Sequence, residues 1–137
     1  MQEKDFNNWN TLKKQLHSND RIFYAHPREV WWGSLGVNIG AETDGKNENF
    51  ERTILIINVY NTESMLVLPI TSREKNDKFH KKIVIDSVDK TGMPYKKDVW
   101  VKLTQARVIS SKRLLRKVDI LPEDVFFDIQ NEFKKFI

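Results

Sequence analysis

The sequence predicts an α+β domain that is mainly β: a small barrel-like sheet with helices at its margins. Three observations predict it. Five or six short strand-forming runs alternate with turn residues, at 29–35, 53–60, 65–70, 82–85 and twice within 99–109. The stretches near the two termini carry apolar residues at steps of three and four instead. A chain of 137 residues also suffices for one domain with a buried core.

Residues 3–17 predict an amphipathic helix. Phe6, Trp9, Leu12 and Leu16 form its stripe, with Lys13, Lys14 and Gln15 outside it. Ser18-Asn19-Asp20 stops it, and Pro27 pushes the residue before it toward extended geometry. The helix thus belongs to an N-terminal extension, 1–26, of a barrel domain at 27–137. Trp9 and Phe6 are expected to pack on the sheet or on a second subunit.

The run 29–35 is rich in strand formers, and Gly33 within it signals a bulge or a close backbone approach. Trp31 and Trp32 face opposite ways. One belongs to the core; the other stacks on a base or packs on the N-terminal helix. A polar loop with Gly36, Gly40 and Gly45 follows at 36–51. The strands 53–60 and 65–70 form a hairpin with Asn61-Thr62 at its tip. Facing residues then sum to 123, which sets Arg52 opposite Thr71 on one face of the sheet. A charged loop spans 72–80, a turn region 89–97 and a short basic helical turn 110–116. The last helix is predicted over 122–136. Pro122, Glu123 and Asp124 suit its start and Lys134 and Lys135 its end.

Composition excludes several chemistries. There is no cysteine, hence no disulfide, no thiolate nucleophile and no cysteine zinc site. His17, His26 and His80 show no metal-ligand spacing, so neither metal nor cofactor is expected. Net charge is +4, a mild bias toward polyanions that any basic soluble domain shares. The first twenty residues lack a signal-peptide core, and no apolar run approaches the roughly 20 residues of a bilayer span. The expected address is the cytoplasm, with no membrane partner.

Four segments occur in a telling order: Gly40-Ala41-Glu42 after the tryptophan strand, Arg52 opening an apolar strand, Pro69-Ile70-Thr71-Ser72, and Gln105-Ala106-Arg107 followed by Ser110-Ser111-Lys112-Arg113-Leu114. This order resembles the PemK/MazF-like toxins of type II toxin–antitoxin systems, over about residues 28–137. The resemblance implies an SH3-like barrel, a homodimer and an antitoxin partner. It also implies a cytoplasmic, metal-independent endoribonuclease that cuts single-stranded RNA at short sequences. Arg52 and Thr71 stand where the family has its catalytic arginine and threonine, and Glu42 matches its acidic loop residue. Gln105 and Arg107 match a substrate-binding segment, with Lys102 nearby; Lys46 and Ser72 complete the candidate contacts. Thr53 departs from the usual proline, and Thr104 from the aspartate of some relatives.

The implied chemistry is sound. RNA is cut without metal when its 2′-hydroxyl attacks the adjacent phosphorus, leaving a 2′,3′-cyclic phosphate and a 5′-hydroxyl. A guanidinium such as Arg52 binds phosphate oxygens bidentately, a hydroxyl such as Thr71 adds a hydrogen bond, and Glu42 is the candidate base. By pattern alone, Arg52 is equally an edge cation, Thr71 a plain strand former and Glu42 a loop carboxylate. A non-catalytic binder on the same barrel, either a degenerate relative or a poison of a protein target, stays open as a second class. So do two readings of Lys112, Arg113, Arg116 and Lys117, as a solvated face or an RNA groove. His80 is a candidate acid–base group.

Overall fold

The computed structural model describes residues 4–18, 22–36 and 51–137. Among the described residues, two helices flank seven strands: α1 (Phe6–His17), β1 (Glu29–Ser34), β2 (Glu51–Val59), β3 (Ser64–Thr71), β4 (His80–Val88), β5 (Pro94–Lys102), β6 (Arg107–Ser110), β7 (Leu114–Ile120) and α2 (Glu123–Lys134). A 3-10 turn at Ser111–Arg113 joins β6 to β7.

All pairings are antiparallel, in the order β4-β5-β3-β2-β1-β7, with β6 also on β3. β5 and β6 take successive stretches of one edge of β3: Thr71 faces Trp100 of β5, and Val67 faces Arg107 of β6. The sheet curls until its terminal strands meet, and the Asp86 N–H of β4 donates to Asp119 Oδ2 of β7 at 2.9 Å. The concave side is the main core. Val30, Leu55, Leu68, Ile83 and Val99 pack there with Phe126, Ile129 and Phe133 of α2. The opposite face of β1, β2 and β3 carries a second cluster, including Trp31, Leu35, Ile54, Ile56 and Val67, covered by Phe23 and Ala25. A strand buried on both sides reads as a continuous apolar run, which explains Ile54, Leu55, Ile56 and Ile57 in β2.

The barrel-like mainly β fold with a helix near each end is as expected, but several elements differ. The described residues form seven strands rather than five or six. Residues 94–97, expected as turn, open β5, and β4 runs well beyond 82–85. These two strands form a solvated ribbon in which Lys96 pairs with Asp86 and Lys82 with Asp98, so charge there marks cross-strand pairing rather than a loop. Residues 114–120, part of which was expected to be helical, form β7. Its Lys117 and Arg116 reach the buried carboxylates Glu29 and Glu51, and its ladder to β1 overrides helix propensity. In α1 the side chain of Asp5 caps the first turn, accepting from Asn8 N–H at 3.1 Å. Trp9 and Leu16 are buried, but Phe6 is half exposed and leaves the expected stripe. Gly33 meets both of its expectations. The β1–β7 register shifts beside it, and a Cβ there would lie 3.2 Å from Ile54 Cδ1.

The hairpin between β2 and β3 reaches the expected register by another route. Its tip is wider than Asn61-Thr62: Asn61 Oδ1 accepts from the N–H groups of Glu63 and Ser64, and Asn58 faces Leu66. One extra residue at Ile57 then bulges out. Beyond it Ile56 faces Val67 and Ile54 faces Pro69, as the sum of 123 requires. Two departures of one residue cancel.

Candidate active site

Carried two residues past Ile54, the same register sets Arg52 against Thr71 at the open end of the hairpin. Arg52 opens the site because it lies at the start of β2, just after segment 37–50. Its Nη1 donates to the Ile70 carbonyl at 3.1 Å, which holds a half-buried guanidinium beside the last residues of β3. Thr71 is buried, and its Oγ1 accepts the Arg73 N–H at 3.2 Å. This turn bends the chain into the 72–79 loop. A hydroxyl that accepts in this way keeps its own proton for donation.

Three further candidates gather on this side. Lys102 lies two residues beyond Trp100, the partner of Thr71, and so shares the face of Thr71. Arg107 faces Val67, on that face too. Gln105 stands between them in the β5–β6 connection, its N–H bonded to the Lys102 carbonyl at 3.4 Å. Ser72 is exposed and follows Thr71 onto the other side of the strand, where it borders a cavity. Glu42 and Lys46 lie outside the described residues.

The cavity, about 270 Å³, occupies the mouth of the barrel beside Arg52. Trp32 of β1 lines it, whereas Trp31 is core, its indole N–H bonded to Glu29 Oε1 at 3.0 Å. The Arg116 guanidinium lies over the Trp32 ring, 5.0 Å from its centroid. Arg116 in turn reaches Glu51 Oε2 at 3.4 Å. Sequence reasoning missed Glu51, a buried carboxylate immediately before Arg52. The only sequence signal was its place next to the arginine.

The basic run 112–117 is tied into the fold, although Arg116 and Lys117 stay exposed to solvent. Lys112 Nζ bonds the His17 carbonyl at 2.6 Å, and Arg113 Nη1 bonds the Ser34 carbonyl at 3.2 Å while its guanidinium lies over Trp9. Burial, with Arg107 as a lesser cause, pulls the Arg113 pKa below its usual value. Arg116 and Lys117 pair with Glu51 and Glu29. The four cations tie α1 and β7 to β1 and β2. His80, at the start of β4, faces Lys102 across the ladder, and its Nδ1 lies 2.6 Å from Asp77 Oδ1. That hydrogen bond holds the Asp77 carboxyl below its usual pKa. No cluster of three or more metal-ligating side chains occurs among the described residues. No helix among them is long and apolar enough to cross a membrane.

Comparisons with known proteins agree with this architecture. The crystal structure of MazF (Form-I) from Deinococcus radiodurans superposes with a TM-score of 0.60 at 21% identity, covering 85% of this chain and 96% of that one. The Mycobacterium tuberculosis toxin MazF-mt6 superposes at 0.58 with 12% identity, covering 80% and 95%. At such identities the likeness shows the fold alone. No curated protein matches the sequence. The model of the PemK-like, MazF-like toxins of type II toxin–antitoxin systems matches residues 26–137, leaving α1 outside it. With that match over most of the chain and a curled sheet of the same fold, the protein belongs to the PemK/MazF-like toxin family.

Proposed function

We propose that this toxin is a sequence-specific endoribonuclease that cuts single-stranded RNA, messenger RNA above all, without a metal ion. The observation that carries the reading is the Arg52 guanidinium, anchored to the Ile70 carbonyl beside Thr71. Lys102 and Arg107 share the face of Thr71.

The 2′-hydroxyl of the nucleotide before the cut attacks its own 3′-phosphorus. Arg52 takes the negative charge that grows on the equatorial oxygens, already positioned before the reaction begins. Thr71 donates its hydroxyl proton to the same oxygens. Glu42 is the candidate base for the 2′-oxygen. Lys102, Arg107, Gln105, Ser72 and Lys46 hold the flanking strand. The bond from phosphorus to the 5′-oxygen breaks as the 2′-oxygen bond forms, the departing 5′-oxygen takes a proton from water, and the products are a 2′,3′-cyclic phosphate and a 5′-hydroxyl. The toxin acts in the cytoplasm as a homodimer and is neutralised by a cognate antitoxin protein.

Sequencing RNA 5′ ends after brief expression in cells tests this. New ends should cluster at one short sequence with the wild type and vanish with Arg52→Ala. Growth arrest with no new ends would instead point to a non-catalytic poison.

A further inference from the structure

The cavity at the barrel mouth has a built chemistry that the cleavage mechanism leaves unused. Its floor is Ile70, Ile85 and Val99, all nearly inaccessible to solvent. Trp32 forms a wall, fixed by Arg116. Around this apolar slot stand polar side chains: the hydroxyls of Thr53, Ser72 and Ser87, the half-buried Lys97, and the buried Glu51, which Arg116 pairs. Its volume of about 270 Å³ falls just short of the roughly 300–1,000 Å³ typical of small-molecule sites, which suits one ring system. Arg52 and Ser72 border it, so it is continuous with the candidate active site.

We infer that this cavity takes one base of the RNA strand, splayed out next to the phosphate that Arg52 holds. The inference rests on the ribonuclease reading above and adds a specificity subsite to it. Bases of single-stranded RNA are recognised by stacking on an aromatic ring and by hydrogen bonds to their polar edge. Trp32 supplies the ring, and the hydroxyls and Lys97 supply the edge contacts. A purely apolar occupant, such as a leucine side chain of an antitoxin, leaves those groups desolvated without partners. Lys97 only donates. The carbonyl oxygens of uracil, guanine and cytosine are stronger acceptors for it than the ring nitrogens of adenine, so the site favours those three bases over adenine.

The test uses 2′-O-methyl trinucleotides of each base, which cannot be cut, added to the full-length protein and followed by NMR. The uracil, guanine or cytosine probes should shift the Trp32 indole and Ile85 methyl signals, with the adenine probe at least tenfold weaker. Lys97→Met should abolish that discrimination. Trp32→Ala should weaken binding by about tenfold, as loss of a stacked base does, and Trp32→Phe should retain it, which controls for folding. The proposal is overturned if no trinucleotide moves these signals. It is equally overturned if N-acetyl-leucinamide moves them and the trinucleotides do not. Arg52-dependent RNA cutting with an unresponsive cavity sinks only the subsite. A responsive cavity with no cutting sinks the ribonuclease reading and leaves base binding standing.

Discussion

Thr71 combines a structural bond with an available proton. Its Oγ1 accepts the Arg73 N–H, and its neighbour Ile70 anchors Arg52. Thr71→Ser keeps both features, whereas Thr71→Val keeps the shape and loses the hydroxyl. The serine variant should retain most RNA cleavage, and the valine variant should lose about 100–1000-fold in rate, the usual effect of removing one preorganised donor. Equal activity of the two would remove Thr71 from the mechanism. Glu29 lends itself to a stability measurement. Burial raises its carboxyl pKa, but hydrogen bonds from the Trp31 indole, the His26 N–H and Lys117 outweigh this, and the net shift is downward. A depressed carboxylate binds protons more readily in the unfolded chain. Its stabilisation is therefore complete above the ordinary value of 4.5 and is lost as pH falls through the lowered folded value. Denaturant titrations should show wild-type stability falling in that acid window, with a shallower fall in Glu29→Gln. Parallel curves for the two proteins would count against the linkage.

Among the elements, α1 lies outside the residues that the family model matches. It docks through Trp9 onto Gly36, where an added Cβ would lie 2.0 Å from Trp9 Cε2. Gly36 has φ +77°, a conformation that other residues adopt only with strain. It is also the last described residue before the segment that carries Glu42. Gly36→Ala and Trp9→Ala should have one consequence: faster amide hydrogen exchange throughout α1, with β2 and β3 unchanged. If either variant leaves α1 protected, Trp9 is not what holds it. The hairpin tip is testable too. Asn61 Oδ1 accepts three hydrogen bonds, from Glu63 N–H, Ser64 N–H and Ser64 Oγ. Asn61→Ala should lower stability by about 1–2 kcal/mol in chemical denaturation; no measurable change would mean that strand pairing alone sets the turn.

For the whole molecule, local patterns revealed more than charges did. Apolar runs located β2 and β3, and the 3.6-residue stripe located α2, because burial repeats with the geometry of each element. The β2–β3 register, which runs from Ile56 opposite Val67 to Ile54 opposite Pro69, was legible because it survives a wide tip offset by a bulge at Ile57. What stayed hidden depends on contacts distant in sequence. β7 looked helical because its cations answer Glu29 and Glu51, which lie 88 and 65 residues away. The start of β5, at 94–97, looked like a turn because its charge pairs across the strands, Lys96 with Asp86. The cavity, with Trp32, Ile70, Ile85 and Lys97 drawn from four strands, has no local signature at all. Glu51 was overlooked for the same reason: its burial comes from the barrel, not from its neighbours.

The central claim is that the end of the β2–β3 hairpin cuts RNA with Arg52 as its phosphate-binding charge. Purified protein incubated with single-stranded RNA in excess EDTA tests it most directly, beside Arg52→Ala, with the new termini analysed chemically. Cleavage leaving 2′,3′-cyclic phosphate and 5′-hydroxyl ends, reduced about 100–1000-fold in the variant, is the predicted result. Cleavage that persists in Arg52→Ala, or no cleavage of varied sequences by correctly folded wild-type protein, would contradict it.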